Sequence, residues 1–582
     1  MEIETFKFDK IGLDELEKQA KGKNWPVLYL IHNDDEIYVG ETTSAHTRMQ
    51  QHLKNPKKSH LNIIEIVFDD LYNKSVILDF EQRLIKYIKV DSKYKKVLNA
   101  NLGQSSSHDY FDRANYKQVF KNLWDNLENK GLVSKSLDKI ENEAIFKFSP
   151  YTSLTEEQNA ISIDIIRDIL YKLSNGERGI SLVNGCAGTG KTLLAISIIN
   201  CLINAAYIEE SEFTKEQLAT EKISLLLELK DYIQKTKPLK IGFVFPMAGI
   251  RATIGDVFKK IGNGLNKKMV INPYVRQDYD ILFVDEAHRL SRRKSLSNYK
   301  PFKDTCDYYG LDENTANQLD FIIKSSKYKV LFYDEDQSVR LSDATHLELF
   351  KSLRDSGENI NTFELETQMR CQAGTDYAQY LKNIFNCRQN SFLNVNNYEF
   401  KVFKDVDTMV KLIIQKDEKY GLSKNVAGFS WKWETQKGLK RGEKVPNNMD
   451  RYNDLLVSNK YDIEIDGHKY IWNITTDNWI NREDSRYTIG CIHTTQGYDL
   501  NYVGVIFGEE IDYDPIKNEI TIDISKVQDA KTKETGIDPN IVKKYMINAY
   551  RTMMLRGIKG CYVYACNKGM REYLKKFAQW GD

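Results

Sequence analysis

Residues 179–203 read GISLVNGCAGTGKTLLAISIINCLI. The apolar SLVN predicts a buried strand, LLAISIINCLI predicts a helix, and residues 185–192 between them fit GxxxxGK[ST]. Strand, loop and helix in that order let backbone N–H groups wrap a phosphate at a helix N-terminus. There Gly185, Gly188 and Gly190 give the backbone its freedom, Lys191 reaches the β- and γ-phosphates, and Thr192 holds magnesium. The stretch predicts an ATP site inside an α/β fold.

Working outward, buried apolar runs alternate with helical patterns from 148 onward: LKIGFVFP, DILFVDE, KVLFYDED, NTFELET and YVGVIFG. That alternation predicts βαβ units and enough strands for two parallel sheets over 148–582. The run ILFV (281–284) ends in Asp285-Glu286-Ala-His288. Paired acids at a strand end beside a phosphate loop place Asp285 in the magnesium shell and leave Glu286 to polarise the attacking water.

Four more signals follow in chain order. Gln337 trails the strand pattern 330–333, Arg370 trails LETQM, HTTQGYD carries Gln496 and Gly497, and YRTMMLRG ends on Arg556 and Gly557. With these motifs the span 148–582 resembles superfamily-1 helicases, and within them the Schlafen-like helicase domain. The resemblance implies two RecA-like domains, 148–360 and 361–582, with ATP in the cleft between them. It makes Gln337 the γ-phosphate sensor, Arg370 and Arg556 arginine fingers, and Gln496 and Gly497 part of the nucleotide-linked machinery. An arginine from the second domain stabilises transition-state charge only when the cleft is shut. Two features depart from the pattern: DEAH is more usual in superfamily 2, and YRTMMLRG lacks the threonine usual before its last arginine. Gln158 has two readings, an adenine reader or one half of a capping box with Thr155. Arg251 and Thr253 sit where the family's strand-binding motif lies, and SRRK (291–294) is either a phosphate grip or a solvated charge run. Trp431, Trp433, Trp472 and Trp479 are base-stacking candidates or core, with a two-residue hairpin turn at Asp466-Gly467 between them.

Upstream, VLYLIHNDDEIYVGETTSAHTRMQQHL (27–53) predicts a hairpin with Tyr29 and Tyr38 on paired strands, then a helix showing Arg48 and His52 at i, i+4. In SVILDFEQRLIKYIKV, Glu81 falls within an apolar arc of Ile77, Phe80, Leu84, Ile85 and Ile88. A carboxylate there is costly without a cation, either a metal or an ion pair with Arg48. Tyr29, Tyr38, Gly40, Arg48, Glu81 and Asn99 (or Asn101) in this order resemble the GIY-YIG nuclease family across about 25–103, with VLY in place of GIY. The resemblance implies a nuclease domain at 1–109 in which Glu81 holds a divalent metal, magnesium. Tyr29 would help deprotonate the attacking water, its phenol depressed by the metal and Arg48. Arg48 would neutralise the phosphate, and His52 is a proton carrier or a packing residue. The basic tract KNPKKSH (54–60) could position the substrate backbone. Residues 110–147 predict a helical connector, with Val119, Phe120, Leu123, Trp124 and Leu127 on one face.

At 582 residues the chain needs about three or four domains. No apolar run reaches the length of a membrane span, and the eight scattered cysteines form no CxxC pair, which points to a reducing cytoplasm. A net charge of +1 means that a nucleic-acid binder must concentrate its cations locally. The whole reads as an ATP-regulated or ATP-driven endonuclease with ATP and magnesium as cofactors. Its expected partner is nucleic acid, DNA ahead of RNA, in bacterial genome protection, with a second copy of the chain or a defence protein as further partners. The competing reading is a nucleotide switch that gates a partner, with the N-terminal module a DNA clamp.

Overall fold

The computed structural model describes residues 1–19, 24–99, 116–143, 146, 154–186, 188–208, 210, 220–262, 264–296, 298–334, 337–338, 342–366, 376–389, 391–392, 398–435, 448–475, 479–495, 497–528 and 538–581. The chain divides into two compact units, Met1–Ile163 with Ile196–Lys235, and Asp164–Ala195 with Thr236–Asp582.

In the first unit β1 (Glu2–Lys7), β2 (Val27–His32), β3 (Glu36–Thr42), β4 (Ile63–Phe68) and β5 (Lys96–Val97) form a sheet in the order β1-β4-β2-β3-β5. All pairs are antiparallel except β3 with β5. The expected hairpin is β2–β3, closed where Asn33 Oδ1 accepts from the Asp35 and Glu36 N–H groups. Its register sets Tyr29 opposite Gly40 and Ile31 opposite Tyr38. A Cβ on Gly40 would lie 2.2 Å from the Tyr29 oxygen, so only glycine admits that phenol.

The helix Lys74–Asp91 starts on Asn73, whose side chain accepts from the Val76 N–H, and buries Ile77, Phe80, Leu84 and Ile88. The connector helix is Tyr116–Asn129; of the expected 110–147, residues 110–115, 144–145 and 147 lie outside the described ones. Its Phe120, Leu123, Trp124 and Leu127 are buried. Phe120 meets Phe80 edge-on at 5.2 Å, Trp124 lies 5.5 Å from Tyr87, and Asp91 accepts from the Ser134 and Lys135 N–H groups. The stripe therefore packs on the N-terminal module itself.

The second unit holds two wholly parallel sheets. The first comprises β6 (Gly179–Gly185), β7 (Ile241–Val244), β8 (Val270–Ile271), β9 (Tyr279–Val284), β10 (Ser326–Tyr333) and β11 (Asn359–Leu365), in the order β11-β6-β10-β9-β7-β8. It runs past residue 360 to Leu365, because β11 pairs with β6. Then come β12 (Glu399–Val402), β13 (Lys424–Ala427), the hairpin β14 (Ile463–Ile465) and β15 (His468–Tyr470), and β16 (Leu500–Phe507). A second hairpin, β17 (Ile511–Asp514) and β18 (Glu519–Ile522), precedes β19 (Gly557–Ala565) and β20 (Gln579–Trp580). The second sheet is ordered β13-β16-β19-β12-β20. The central strands β9 and β16 are buried throughout, which is why they read as unbroken apolar runs. These are the two parallel sheets expected from the alternation, and they have the RecA-like character that the resemblance implied. In the first, strand order reverses at β6, so the crevice beyond its carboxyl end is where a ligand fits.

Asp466 and Gly467 adopt φ of 48° and 81°, the left-handed pair that a two-residue hairpin requires. Trp472 and Trp479 are core, their ring N–H groups donating to Gly490 O and Thr488 Oγ1. Trp433 is 37% exposed.

Candidate functional site

β6 ends at Gly185, and the turn into the helix Lys191–Asn204 is left-handed at Gly188 (φ 91°) and Gly190 (φ 79°). Gly185 is small for packing instead: a Cβ would stand 2.6 Å from Thr189 Oγ1. Lys191 Nζ donates to the carbonyls of Gly185 and Cys186 and lies 3.7 Å from Asp334 Oδ2. Thr192 Oγ1 donates to Asp285 Oδ2 at 2.6 Å. Adjoining hydroxyl and carboxylate oxygens are the hard donors that magnesium prefers, so the pair fits that ion. No group of three or more His, Cys, Asp or Glu placed to hold a metal ion occurs among the described residues, and an ion here would complete its shell with phosphate and water.

Glu286 follows β9 with φ of 51°, a conformation unusual outside glycine that is held where a side chain must be aimed. Its N–H donates to Asp285 Oδ1 at 3.0 Å. His288 Nδ1 accepts from the Asp334 N–H at 3.2 Å, which leaves the ring hydrogen on Nε2, 2.9 Å from Glu286 Oε2. Burial works against charge on Glu286, but His288, Lys191 and Arg556 hold its carboxyl well below the usual range. Burial and the neighbouring Glu286 push Asp285 up.

From Asp334 the polar chain continues. Gln337 Nε2 donates to Asp334 Oδ2 at 2.6 Å, and Arg556 Nη2 donates to Gln337 Oε1 at 3.3 Å. Arg556 immediately precedes β19, so this contact joins the second sheet to the end of β10 in the first. Two further contacts join the same sheets: Tyr498 Oη with Thr253 Oγ1 at 2.6 Å, and Asn548 Nδ2 to Ser338 O at 3.1 Å. Gly497 (φ 84°) abuts Ile250, whose Cδ1 would lie 2.4 Å from an added Cβ. Arg251 donates to Phe245 O at 2.8 Å. In SRRK the arginines are paired, Arg292 with Glu348 and Arg293 with Glu313, each at 3.0 Å. Arg370 and Gln496 lie outside the described residues. Gln158, in the first unit, forms the capping box: its Oε1 accepts from Thr155 N and its N–H donates to Thr155 Oγ1, both at 3.1 Å. Sequence reasoning missed the parts of His288 and Asp334, although Asp334 ends β10 as Asp285 ends β9.

The first unit gathers a second cluster. The helix Ala45–Leu53 places Arg48 and His52 one turn apart, beneath the hairpin phenols. Tyr29 Oη and His52 Nε2 are 2.7 Å apart, and Arg48, which donates to Gln51 Oε1 at 2.9 Å, is the cation that acts on both phenols. Burial, then the neighbouring Tyr38, raises Tyr29 well above the ordinary phenol value, and Arg48 only partly offsets it. Tyr38 is raised by burial and Glu81. The expectation of a depressed phenol is not met by Arg48 alone, because desolvation of a phenolate outweighs one shared cation. Burial and Glu41 push Glu81 up to about 8, and among the described residues it forms no ion pair with Arg48. Glu41 is itself paired with Lys74, so of the two carboxyls Glu81 is the one that a divalent cation would compensate. Asn99 clamps the main chain of β3, with Oδ1 accepting from Val39 N and Nδ2 donating to Val39 O.

Comparison with known proteins follows this geometry. A Pif1 helicase from Bacteroides, solved with ADP-AlF3 and ssDNA, aligns at 13% identity over 72% of this chain and 94% of its own, with a TM-score of 0.26. A DNA replication initiation factor aligns at 13% identity over 41% of this chain and 54% of its own, with a TM-score of 0.19. An uncharacterized protein of Saccharomyces cerevisiae is 24% identical over 438 residues, which are 68% of this chain and 83% of the yeast protein. Residues 178–567, which contain the phosphate loop, every strand of both sheets except β20, and the polar chain between them, match the Schlafen group 3 DNA/RNA helicase domain, and the chain belongs to that family.

Proposed function

We propose that the protein is an ATP-driven nucleic-acid motor of the helicase type that carries a metal-dependent endonuclease at its N-terminus. The observation that carries the motor half is the continuous path Glu286–His288–Asp334–Gln337–Arg556, which ties the base of ATP hydrolysis to the second sheet. In this reading Lys191 and the loop glycines bind the phosphates, and Thr192 and Asp285 hold magnesium, which would supply charge neutralisation at the γ-phosphate. Glu286 orients and deprotonates the attacking water, while Gln337 and Arg556 stabilise charge on the transferred group, with Arg370 as a second finger. Hydrolysis that depends on an arginine from the other sheet is tied to cleft closure, and closure coupled to nucleic-acid grip is what a motor needs.

The nuclease half, within 1–109, rests on the Tyr29, Tyr38, Arg48 and His52 cluster with Glu81 on a neighbouring helix. Glu81 would hold the divalent ion at the phosphate, Tyr29 accept the proton of the attacking water, and Arg48 neutralise the phosphate. Asn99 fixes the main chain that carries Tyr38 and Gly40. One observation favours the DNA-clamp alternative: both phenols lie above their ordinary value. The role we assign is genome protection in a bacterium, against phage or in repair, with DNA as substrate. Cleavage of plasmid, linear duplex and single strands, each with ATP and with a non-hydrolysable analogue in magnesium, tests the reading. Cleavage lost in Glu81→Ala while ATP hydrolysis persists is the expected result. Binding without cleavage under every condition would leave the clamp.

A further inference from the structure

We propose that Lys58 is a positioning residue for the N-terminal cluster: its ammonium holds the ring hydrogen of His52 on Nε2, so that His52 donates to the Tyr29 oxygen. The inference rests on the nuclease reading above. Lys58 Nζ lies 3.2 Å from His52 Nδ1, and His52 Nε2 lies 2.7 Å from Tyr29 Oη. An ammonium has only N–H groups to offer, so Nδ1 must accept. A neutral imidazole has one hydrogen, which then sits on Nε2 and points at the phenol oxygen. The ring is neutral here: burial, with Lys58 and Arg48 as like charges, pushes His52 down to about 3.

The local chain explains how the lysine arrives there. The helix Ala45–Leu53 ends, and turns closed by the Asn55 carbonyl, accepting from Lys58 N and Ser59 N, carry the backbone back over it. Lys58 then stands over the Tyr38 ring with Nζ 3.4 Å from its centre, a cation–π contact that holds the ammonium at the cluster. Within KNPKKSH this lysine is thus turned inward, to the histidine, instead of outward to a substrate backbone.

The consequence falls on the Tyr29 oxygen. With His52 fixed in this tautomer, that oxygen receives the His52 Nε2–H, and the Arg48 charge acts on it as well. A donor and a cation both favour the phenolate, which is the form able to take a proton from water. Without Lys58 the ring hydrogen can move to Nδ1. Nε2 then accepts from the Tyr29 O–H, and the donor to the phenolate is lost.

The test uses the full chain with 15N-labelled histidine. The His52 ring signals are identified by their loss in His52→Asn, and single-turnover cleavage with magnesium is measured on the same proteins. Wild type and Lys58→Arg should both carry the hydrogen on Nε2, since both side chains are donor-only. Lys58→Met should lose that preference and cut at least about tenfold more slowly, as expected for a lost hydrogen bond to a charged oxygen. Its ATP hydrolysis and its thermal unfolding midpoint should be unchanged, which shows that both units are folded. A hydrogen on Nδ1 in wild type, or a Lys58→Met protein that keeps the Nε2–H form or the wild-type rate, overturns the inference while leaving the nuclease reading in place. A wild type that cuts nothing overturns the nuclease reading and this inference with it.

Discussion

Arg556→Ala is the sharpest test of how the two sheets cooperate. Arg556 is 1% exposed and donates through Nη2 to Gln337 Oε1, while its charge helps hold Glu286 ionised. Its backbone contacts survive truncation, because Leu500 N still donates to its carbonyl and its own N–H to Met553 O. The fold should therefore persist. Gln337 Oε1 loses a donor but its amide keeps Asp334, so the stability cost is that of one buried acceptor, about 1–3 kcal/mol. The loss in rate should be larger, because an arginine aimed at the transferred phosphoryl group acts where charge develops in a dry site. Removing such a finger slows turnover about a thousandfold, or about 4 kcal/mol of barrier. On the proposed reading nucleotide binding is set by Lys191, Thr192 and the loop backbone, so affinity should change by no more than about tenfold. Steady-state ATP hydrolysis and titration with a fluorescent ATP analogue, on the same preparation, give both numbers. Turnover within tenfold of wild type, or affinity that falls in parallel with turnover, would refute the role assigned to Arg556.

Glu286→Gln should abolish ATP turnover yet bind ATP, since it removes the base and leaves Asp285, Thr192 and Lys191 in place; retained turnover in the hydrolysis assay would move the base elsewhere. Glu81 has a folded-state pKa raised to about 8 from an ordinary 4.5, so in chelator it destabilises the fold progressively as pH rises from about 4.5 to 8 and not below. Thermal unfolding in EDTA should accordingly show Glu81→Gln more stable than wild type at pH 8 and equal to it at pH 4. Magnesium at pH 8 should raise the midpoint of wild type more than that of Glu81→Gln, because the substitution removes the carboxylate of this site and leaves the Thr192–Asp285 pair in place.

What the sequence made legible divides along a physical line. Local patterns came through: the strand–loop–helix around Lys191, the acids closing β9, the Asp466-Gly467 turn and the β2–β3 hairpin each depend on neighbours within a few residues. Contacts between residues far apart in sequence were not legible. Nothing near His288 shows that its Nδ1 would accept from Asp334, or that Tyr498 would reach Thr253. Charge runs were equally opaque, since the partners of Arg292 and Arg293 are Glu348 and Glu313, which only the fold brings close. Gln158 shows a third limit. Its capping box was visible in the spacing, and the same amide oxygen cannot be fully committed to a cap and also be wholly available to a base.

The connector helix carries the lesson furthest. A stripe of Phe120, Leu123, Trp124 and Leu127 states that one face is buried, but not against what. Read from sequence, the stripe suggests a face that docks the N-terminal module onto the motor. The rings decide it: Phe120 closes on Phe80, Trp124 on Tyr87, and Trp124 Nε1 donates to Lys135 O at 2.9 Å. Truncating a tryptophan so enclosed costs about 3–5 kcal/mol, a sizeable share of the stability of a domain this small. The stripe is thus part of what holds the N-terminal module together, and it cannot also be the surface through which ATP governs cleavage. On the proposed reading, control of one activity by the other therefore runs through something other than this stripe.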